Sequence, residues 1–195
     1  IIIRLEASNT YHAYLVTVSG VNMTPVITNI GASYFSTLGQ LKGSPDGAKI
    51  AAANFGTAGF DIIDFDNFNG SLSNLTTINM PNDPYGIEFS SNSDIVYISE
   101  YGSATVYQYD LLTTNLIAIS PSSTANGSLQ LAPDGKIYAG VENSSYLHVI
   151  SSPNTTGLGC NFISNAIFLS GKTYRLGLPT FFSSIFNSLP AGCDS

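Results

Sequence analysis

Charged side chains are scarce in this chain. Asp, Glu, Lys and Arg make up 10% of its 195 residues, against about 25% in an average soluble protein. Six Lys and Arg stand against 13 Asp and Glu, so the formal net charge is −7. Binding to nucleic acids and to anionic membrane surfaces depends on basic patches. The composition therefore argues against both kinds of partner.

Cysteine clusters and long apolar runs are also missing. No run of 18 apolar residues occurs, so no segment is expected to span a bilayer as a helix. The two cysteines, Cys160 and Cys193, have no CxxC pair or Cys/His cluster beside them, which excludes the usual zinc spacing. A disulfide between them and two free thiols remain alternative interpretations. We expect no bound metal and no cofactor.

The apolar residues that are present favour strands. They amount to 44% of the chain and fall in short runs rich in β-branched and aromatic residues, separated by Gly, Pro, Asn, Asp and Ser. Two of these runs, at residues 50–53 and 95–98, are apolar or small at every position. A strand with one wet face should alternate instead. The pattern predicts an all-β protein whose sheets are covered on both faces.

A turn motif recurs along the chain in the same strand context. It occurs at Ser44–Gly47, Ser90–Ser93 and Ala132–Gly135, so the spacings are 46 and 42 residues. A period of about 40 to 45 residues with strand content alone is typical of β-propeller blades. Pro and Gly suit a tight hairpin turn. The middle copy lacks both, so we expect its turn to be looser.

We interpret residues 1–188 as a partial β-propeller, followed by the start of a linker at 189–195. About three full four-stranded blades and two partial ones are predicted. Their approximate ranges are 11–30 (partial), 39–79, 84–120, 127–170 and 174–186 (partial). A repeat array that stops in the middle exposes apolar blade faces. We therefore expect either further blades of the same polypeptide before Ile1, or a closure in which 11–30 and 174–186 share a blade.

A set of segments in fixed order carries a family resemblance. They are Tyr11–Asn22, Leu41–Asn54, Tyr85–Ser90, Leu129–Tyr138, Ser151–Asn154, Cys160–Phe162 and Leu176–Pro179. Together they resemble the propeller region of large surface proteins of gliding bacteria. Those proteins end in a gliding-motility-associated C-terminal sorting domain for type IX secretion.

The resemblance implies the second half of a seven-bladed, WD-repeat-like ring. It also implies export to the cell surface or medium and a place in a multidomain bacterial protein. The missing blades of the same polypeptide would be one partner. The family offers no general catalytic residues to carry over to this chain.

Few residues qualify as candidate ligands. Glu88 interrupts an apolar inner strand, and inner strands line the axial channel, so its carboxylate could bind a cation or a polar ligand. Asp64 and Asp66 share a strand face next to Asn67. The residues that follow do not match the positions of a calcium-binding EF-hand loop. His12 and His148 are expected to be structural or exposed.

Two functions follow from this inventory. The first is a non-enzymatic scaffold for adhesion that binds a protein or glycan at a propeller face, where amphipathic aromatic side chains could stack on the ligand. The alternative is a propeller enzyme of the glycosidase, lyase or lactonase type. Such an enzyme would use Glu88 and the group Asp61, Asp64 and Asp66 as axial carboxylates, with or without a channel metal.

Overall fold

The computed structural model describes residues 1–101, 105–120 and 126–179. Strands dominate these ranges, and the helical content within them is a single 3-10 turn at Gly157–Cys160. The first nine strands are β1 (Ile2–Arg4), β2 (Ser8–Ala13), β3 (Val16–Thr17), β4 (Gly20–Val21), β5 (Val26–Tyr34), β6 (Leu41–Gly43), β7 (Lys49–Asn54), β8 (Gly59–Phe65) and β9 (Leu72–Asn79). The remaining strands are β10 (Pro84–Phe89), β11 (Ile95–Glu100), β12 (Val106–Asp110), β13 (Leu116–Ala118), β14 (Asn126–Leu131), β15 (Ile137–Val141), β16 (Tyr146–Ile150) and β17 (Phe162–Phe168). The predicted all-β class is confirmed.

Each sheet is antiparallel and follows the chain order. Three sheets have four strands, in the orders β6-β7-β8-β9, β10-β11-β12-β13 and β14-β15-β16-β17. A sheet of three strands, β1-β2-β5, precedes them. In the chain, the separate β3–β4 hairpin is inserted between β2 and β5, which pair with each other. We call these four units the first to fourth sheets in chain order, with β1-β2-β5 as the first.

The core lies between the sheets rather than inside any one of them. One apolar cluster joins the second and third sheets through residues such as Phe60 and Phe89. Another joins the third and fourth through Tyr97 and Leu129, and a third joins the first and second through Tyr11 and Ile63. All six residues of β11 are buried, because sheets cover it on both faces. Four-stranded sheets stacked face to face in chain order form a partial β-propeller, as predicted.

The repeated turns close in the same way in all three copies. Gly47 and Gly135 have φ near +75°, in the left-handed region that glycine enters at little cost. Ser93 takes the equivalent place with φ of +66°. Its N–H donates to the Ser90 carbonyl at 3.0 Å, as the Gly47 N–H does to that of Ser44 at 2.9 Å. The expectation of a looser middle turn was wrong, because this bond forms without Pro or Gly.

After the fourth sheet the chain returns toward the inner strands. Residues 174–178 run beside β14, where the Ser128 N–H donates to the Leu176 carbonyl at 3.2 Å. Residues 180–186 of the predicted fifth blade and the predicted linker at 189–195 lie outside the described residues. Across the part of the chain that the structure describes, there is no helix with the length and apolar character to cross a membrane.

Close packing of the inner strands makes Gly86 sensitive to substitution. A Cβ at this position would lie 2.5 Å from the Gly127 carbonyl oxygen and 2.6 Å from Ser99 Oγ. Gly86→Ala is therefore expected to lower the free energy of unfolding by about 1 to 3 kcal/mol, the usual cost of overpacking. Urea unfolding would measure it. Gly177→Ala is the matched control, because a Cβ there meets nothing within 4 Å, and an equal loss in both variants would contradict the packing.

Candidate functional site

Three polar side chains meet where the innermost strands of successive sheets converge. Lys42 on β6 donates to Glu88 Oε2 at 2.9 Å and to Gln130 Oε1 at 2.7 Å. Glu88 lies on β10 and Gln130 on β14, and the three residues are between 3% and 8% exposed. We call Lys42, Glu88 and Gln130 the axial triad. It joins three sheets through one ammonium group.

The carboxylate of Glu88 has further partners in the backbone. Oε1 accepts from the N–H of Phe89 at 3.0 Å, and Oε2 accepts from the N–H of Leu131 at 2.9 Å. A buried charge is tolerable when it is paired and hydrogen-bonded in this way. A cation would have to compete with Lys42 for the same oxygens. Ligand binding by Glu88 therefore stays a prediction, while its contacts within the fold are structural.

A second glutamine bridges the same three sheets. Gln40, just before β6, accepts at Oε1 from the N–H of Ile87 at 3.2 Å and from the N–H of Leu129 at 2.9 Å. Sequence reasoning missed Gln40, Lys42 and Gln130. The signal was available, because positions 42, 88 and 130 are spaced like the repeated turns. This spacing predicts a contact among the three side chains only when the equivalent inner strands are known to lie close together.

Asp64 and Asp66 are engaged separately. Lys49 Nζ lies 2.6 Å from Asp64 Oδ1, and Asn74 Nδ2 donates to Asp64 Oδ2 at 2.9 Å. The hydrogen bond from Lys49 is the main cause that lowers the pKa of Asp64. Asp66 instead organises the next turn, where it accepts from the N–H of Phe68 at 2.9 Å. Among the described residues no three His, Cys, Asp or Glu side chains come together as a metal site would need.

Asp61 belongs to a buried polar cluster between the first and second sheets. It is fully buried, and its Oδ1 accepts from Thr77 Oγ1 at 2.7 Å and from Tyr34 Oη at 3.3 Å. Burial, together with the Asp61 charge, raises the pKa of Tyr34 to about 12. The guanidinium of Arg4 lies 4.8 Å from the centre of the Tyr34 ring. These contacts hold two sheets together and place Asp61 away from the axial triad.

His148 is buried and accepts a hydrogen bond in its neutral form. Its Nδ1 accepts from the N–H of Asn165 at 2.9 Å, which an imidazolium could not do, and burial lowers its pKa. A group whose pKa falls on folding contributes stability that is present above its ordinary pKa of 6.5 and is lost as the pH decreases. His12, by contrast, is half-buried near the Tyr14 hydroxyl, at 3.3 Å.

The free energy of unfolding is therefore expected to decrease as the pH falls from 7.5 to 5.5, with a slope of at most about 1.4 kcal/mol per pH unit for this one group. Chemical unfolding at fixed pH values would show the decrease. The His148→Gln variant should show a flatter profile over the same range, since Gln does not titrate. If His148→Gln had the same dependence of the free energy of unfolding on pH as the wild type, other groups would cause that dependence.

The structure describes one of the two cysteines for which a disulfide and free thiols are the alternatives. Cys160 is fully buried in the cluster between the third and fourth sheets, and burial raises the pKa of its thiol. Cys193 lies outside the described residues. A disulfide and two free thiols therefore both stay open as interpretations.

A cleft of about 510 Å³ opens between the β3–β4 hairpin and the β8–β9 turn. We call it the hairpin cleft. Its volume is in the range of small-molecule sites, and every side chain that lines it is neutral. Its aromatic and amide side chains include Tyr14, Phe65, Phe68, Asn22, Asn67 and Asn69. Phe68 is 96% exposed, whereas Tyr97 and Tyr109 are buried between sheets.

The comparisons support the fold and leave the family open. No known protein family matches the chain, and no curated protein matches it. A protein of unknown function from Desulfotomaculum acetoxidans has a similar structure, with 16% identity and a TM-score of 0.58 over 90% of this chain and 55% of that one. The dihydro-heme d1 dehydrogenase NirN has 12% identity and a TM-score of 0.60 over 86% of this chain and 35% of that one.

A third similar structure comes from Bacteroides fragilis and is described as a candidate 6-phosphogluconolactonase. It has 16% identity and a TM-score of 0.53, over 75% of this chain and 49% of that one. At these identities the likeness shows the fold alone. The chain is a partial β-propeller that spans about a third to a half of the length of these three proteins.

Proposed function

We propose that the chain is a non-enzymatic β-propeller module of a secreted or cell-surface bacterial protein, where it is a rigid scaffold for adhesion. Its ligand is a protein or a glycan, bound at the hairpin cleft. The observation that carries the proposal is the lining of that cleft, in which aromatic and amide side chains lie among aliphatic ones and no side chain is charged. Exposed aromatic rings with amide groups nearby bind neutral, amphipathic ligands by stacking and hydrogen bonding.

The carboxylates add support, because each of the four considered for catalysis has partners within the fold. Glu88 pairs with Lys42, and Asp64 pairs with Lys49. Asp61 accepts from two hydroxyl groups, and Asp66 accepts from turn amides. In the part of the chain that the structure describes, these four carboxylates have separate partners, and no two of them bond to each other. Export by type IX secretion is proposed from the sequence resemblance.

A binding screen tests this proposal. The purified chain is screened against arrays of neutral glycans and of extracellular-matrix proteins, and hits are measured by titration calorimetry. Phe68→Ala is expected to weaken a true hit by at least about tenfold, as expected for an aromatic residue at the centre of a contact. Phe35→Ala is the matched control, since Phe35 is 81% exposed and does not line the cleft. If both variants weakened binding equally, the hairpin cleft would not be the binding site.

One observation favours an enzyme as the second candidate function, the structural likeness to the Bacteroides fragilis protein. Its test is hydrolysis of sugar lactones, followed as acid release at constant pH, with metal analysis of the same sample. Turnover that disappears in Glu88→Gln, in a variant that still unfolds cooperatively, would favour an enzyme. Absence of turnover alongside glycan or protein binding would favour the scaffold.

A further inference from the structure

Each sheet ends on its outer side in a strand that has a neighbour on one side only. These strands are β5, β9, β13 and β17, and among the described residues each pairs with a single strand. We call them the outer strands. The free edge of such a strand presents unpaired N–H and C=O groups, which can serve as a template for a strand of another molecule.

Charged residues do not protect these edges. None of the four outer strands contains Asp, Glu, Lys or Arg. Natural sheets often place charged residues, lysine above all, on an exposed edge, because an intermolecular sheet would bury the charge. β17 has the sequence FISNAIF, which is mostly apolar and lacks Pro and Gly, a composition that favours stacking of strands between molecules. Any protection of the outer strands must come from their backbone.

A bulge interrupts the outer strand of the second sheet. Asn74 and Leu75 of β9 both stand opposite Ile63 of β8, so β9 contains one extra residue at this point. Asn74 has a φ of +50°, and its Nδ2 donates to Asp64 Oδ2 of β8 at 2.9 Å. A bulge leaves the extra residue out of the ladder, bends the strand and increases its twist. The free edge of β9 is therefore not a flat row of donors and acceptors.

The outer strand of the fourth sheet also contains a bulge. Residues 164–166 of β17 stand opposite His148 of β16, and Asn165 has a φ of +51°. The N–H of Asn165 donates to His148 Nδ1 at 2.9 Å. In both sheets a polar side chain of the neighbouring strand holds the bulge in place. Both bulges also use a left-handed conformation that is costly for a residue other than glycine.

The other two outer strands are interrupted or short. Residues 30–33 of β5 stand opposite Asn9 of β2, and Gly31 has a φ of +80°. Asn9 Nδ2 donates to the Gly31 carbonyl at 3.3 Å. β13 pairs in regular register but has only three residues. In the part of the chain that the structure describes, every outer strand is thus bulged or very short, and both features oppose pairing at a sheet edge.

We infer that the bulges of β5, β9 and β17 prevent strands of other molecules from adding to the outer edges of the propeller, in place of the charged residues that these strands lack. Each bulge lies in the outermost strand of its sheet, and a side chain of the neighbouring strand holds it. Partners that bind by adding a strand to a sheet edge are excluded by the same feature. The inference concerns the outer strands and does not depend on the ligand of the hairpin cleft.

Deletion of Asn74 tests the inference, because it removes the extra residue and lets Ser73 and Leu75 continue one ladder opposite Asp64 and Ile63. The deletion is made in the 195-residue chain. The variant is expected to lose monomer as its concentration rises, beyond any loss in the wild type, and to increase thioflavin T fluorescence. Sedimentation velocity measures the loss of monomer. Asn74→Gly is the matched control, because glycine keeps the positive φ and with it the bulge, so this variant should stay like the wild type.

A second change separates edge pairing from unfolding. Ser73 is exposed on β9 and stands opposite Asp64, so Ser73→Lys adds a charge to the edge strand beside an opposite charge. In combination with the deletion of Asn74 it is expected to restore the monomer content of the wild type, because lysine on an edge opposes strand addition. A chain that cannot fold gains nothing from this lysine. Far-UV circular dichroism compares the strand content of all variants.

Three results would overturn the inference. The first is a deletion variant that stays as monomeric as the wild type at every concentration. The second is a deletion variant, folded or not, in which Ser73→Lys restores no monomer, since the loss would then come from damage to the fold. The third is equal self-association of Asn74→Gly and the deletion variant, which would show that the bulge at Asn74 has no part in keeping the chains apart.

Discussion

Replacing Lys42 with methionine is expected to lower the free energy of unfolding by about 3 to 5 kcal/mol, the usual cost of leaving one partner of a buried ion pair alone. Lys42 and Glu88 are 8% and 3% exposed, and their charged atoms are 2.9 Å apart. Methionine matches the length of the lysine stem but offers no donor to Glu88 or Gln130. Urea unfolding followed by tyrosine fluorescence would measure the loss.

Two further variants separate charge from packing in this result. Lys49→Met removes the ion pair between Lys49 and Asp64. The side chains of these two residues are 35% and 38% exposed. Such a pair contributes at most about 1 kcal/mol. In the double variant Lys42→Met/Glu88→Gln no charge remains buried, so part of the stability should return. If Lys42→Met lowered the free energy of unfolding no more than Lys49→Met does, then Lys42 and Glu88 would not form a buried ion pair in solution.

Phe60→Ala is expected to cost a similar amount, about 3 to 5 kcal/mol, for a different reason. Phe60 is fully buried on β8 and packs edge to face on Tyr109 of the third sheet, with ring centroids 5.6 Å apart. Its removal leaves a cavity between two sheets, and sheets held by their backbone ladders cannot close around it fully. The same unfolding experiment gives the measurement.

The matched control for this substitution is Phe35→Ala. Phe35 is 81% exposed, so its truncation should change the free energy of unfolding by no more than about 0.5 kcal/mol. A large loss at position 60 beside a small one at 35 would locate the core between the sheets. An isolated meander would leave Phe60 without a second sheet to pack on, and its truncation would then cost little.

Local sequence signals were sufficient for the strands and the class of fold. The unbroken apolar run of β11 indicated a strand buried on both faces, and all six of its residues are buried. Such signals depend on neighbouring positions and on turn residues such as Pro45 and Gly47. They can therefore be interpreted without knowing which sheets pack on each other. The middle turn was wrongly expected to be loose. Ser93 adopts a positive φ there, and serine, unlike glycine, does not predict that conformation.

Candidate site residues were harder to interpret from sequence. Glu88 was noticed because a carboxylate interrupts an apolar run. Lys42, which pairs with it, lies 46 residues earlier in the chain, and Gln130, which also accepts from Lys42, lies 42 residues later. The hairpin cleft was not predicted, because Phe65 ends β8 and Phe68 lies in the turn after it, whereas Tyr14 follows β2 of another sheet. Aromatic residues in a sequence do not reveal whether they are buried, as Tyr97 is, or exposed, as Phe68 is.

By itself the sequence determined the all-β class, the period of the repeat and the low, acidic charge, since each depends on composition or on short-range spacing. Only the tertiary structure decided which polar side chains meet at the inner strands and where the hairpin cleft opens. Those features arise from contacts between sheets, and the free energy of such contacts depends on three-dimensional distance rather than on separation along the chain.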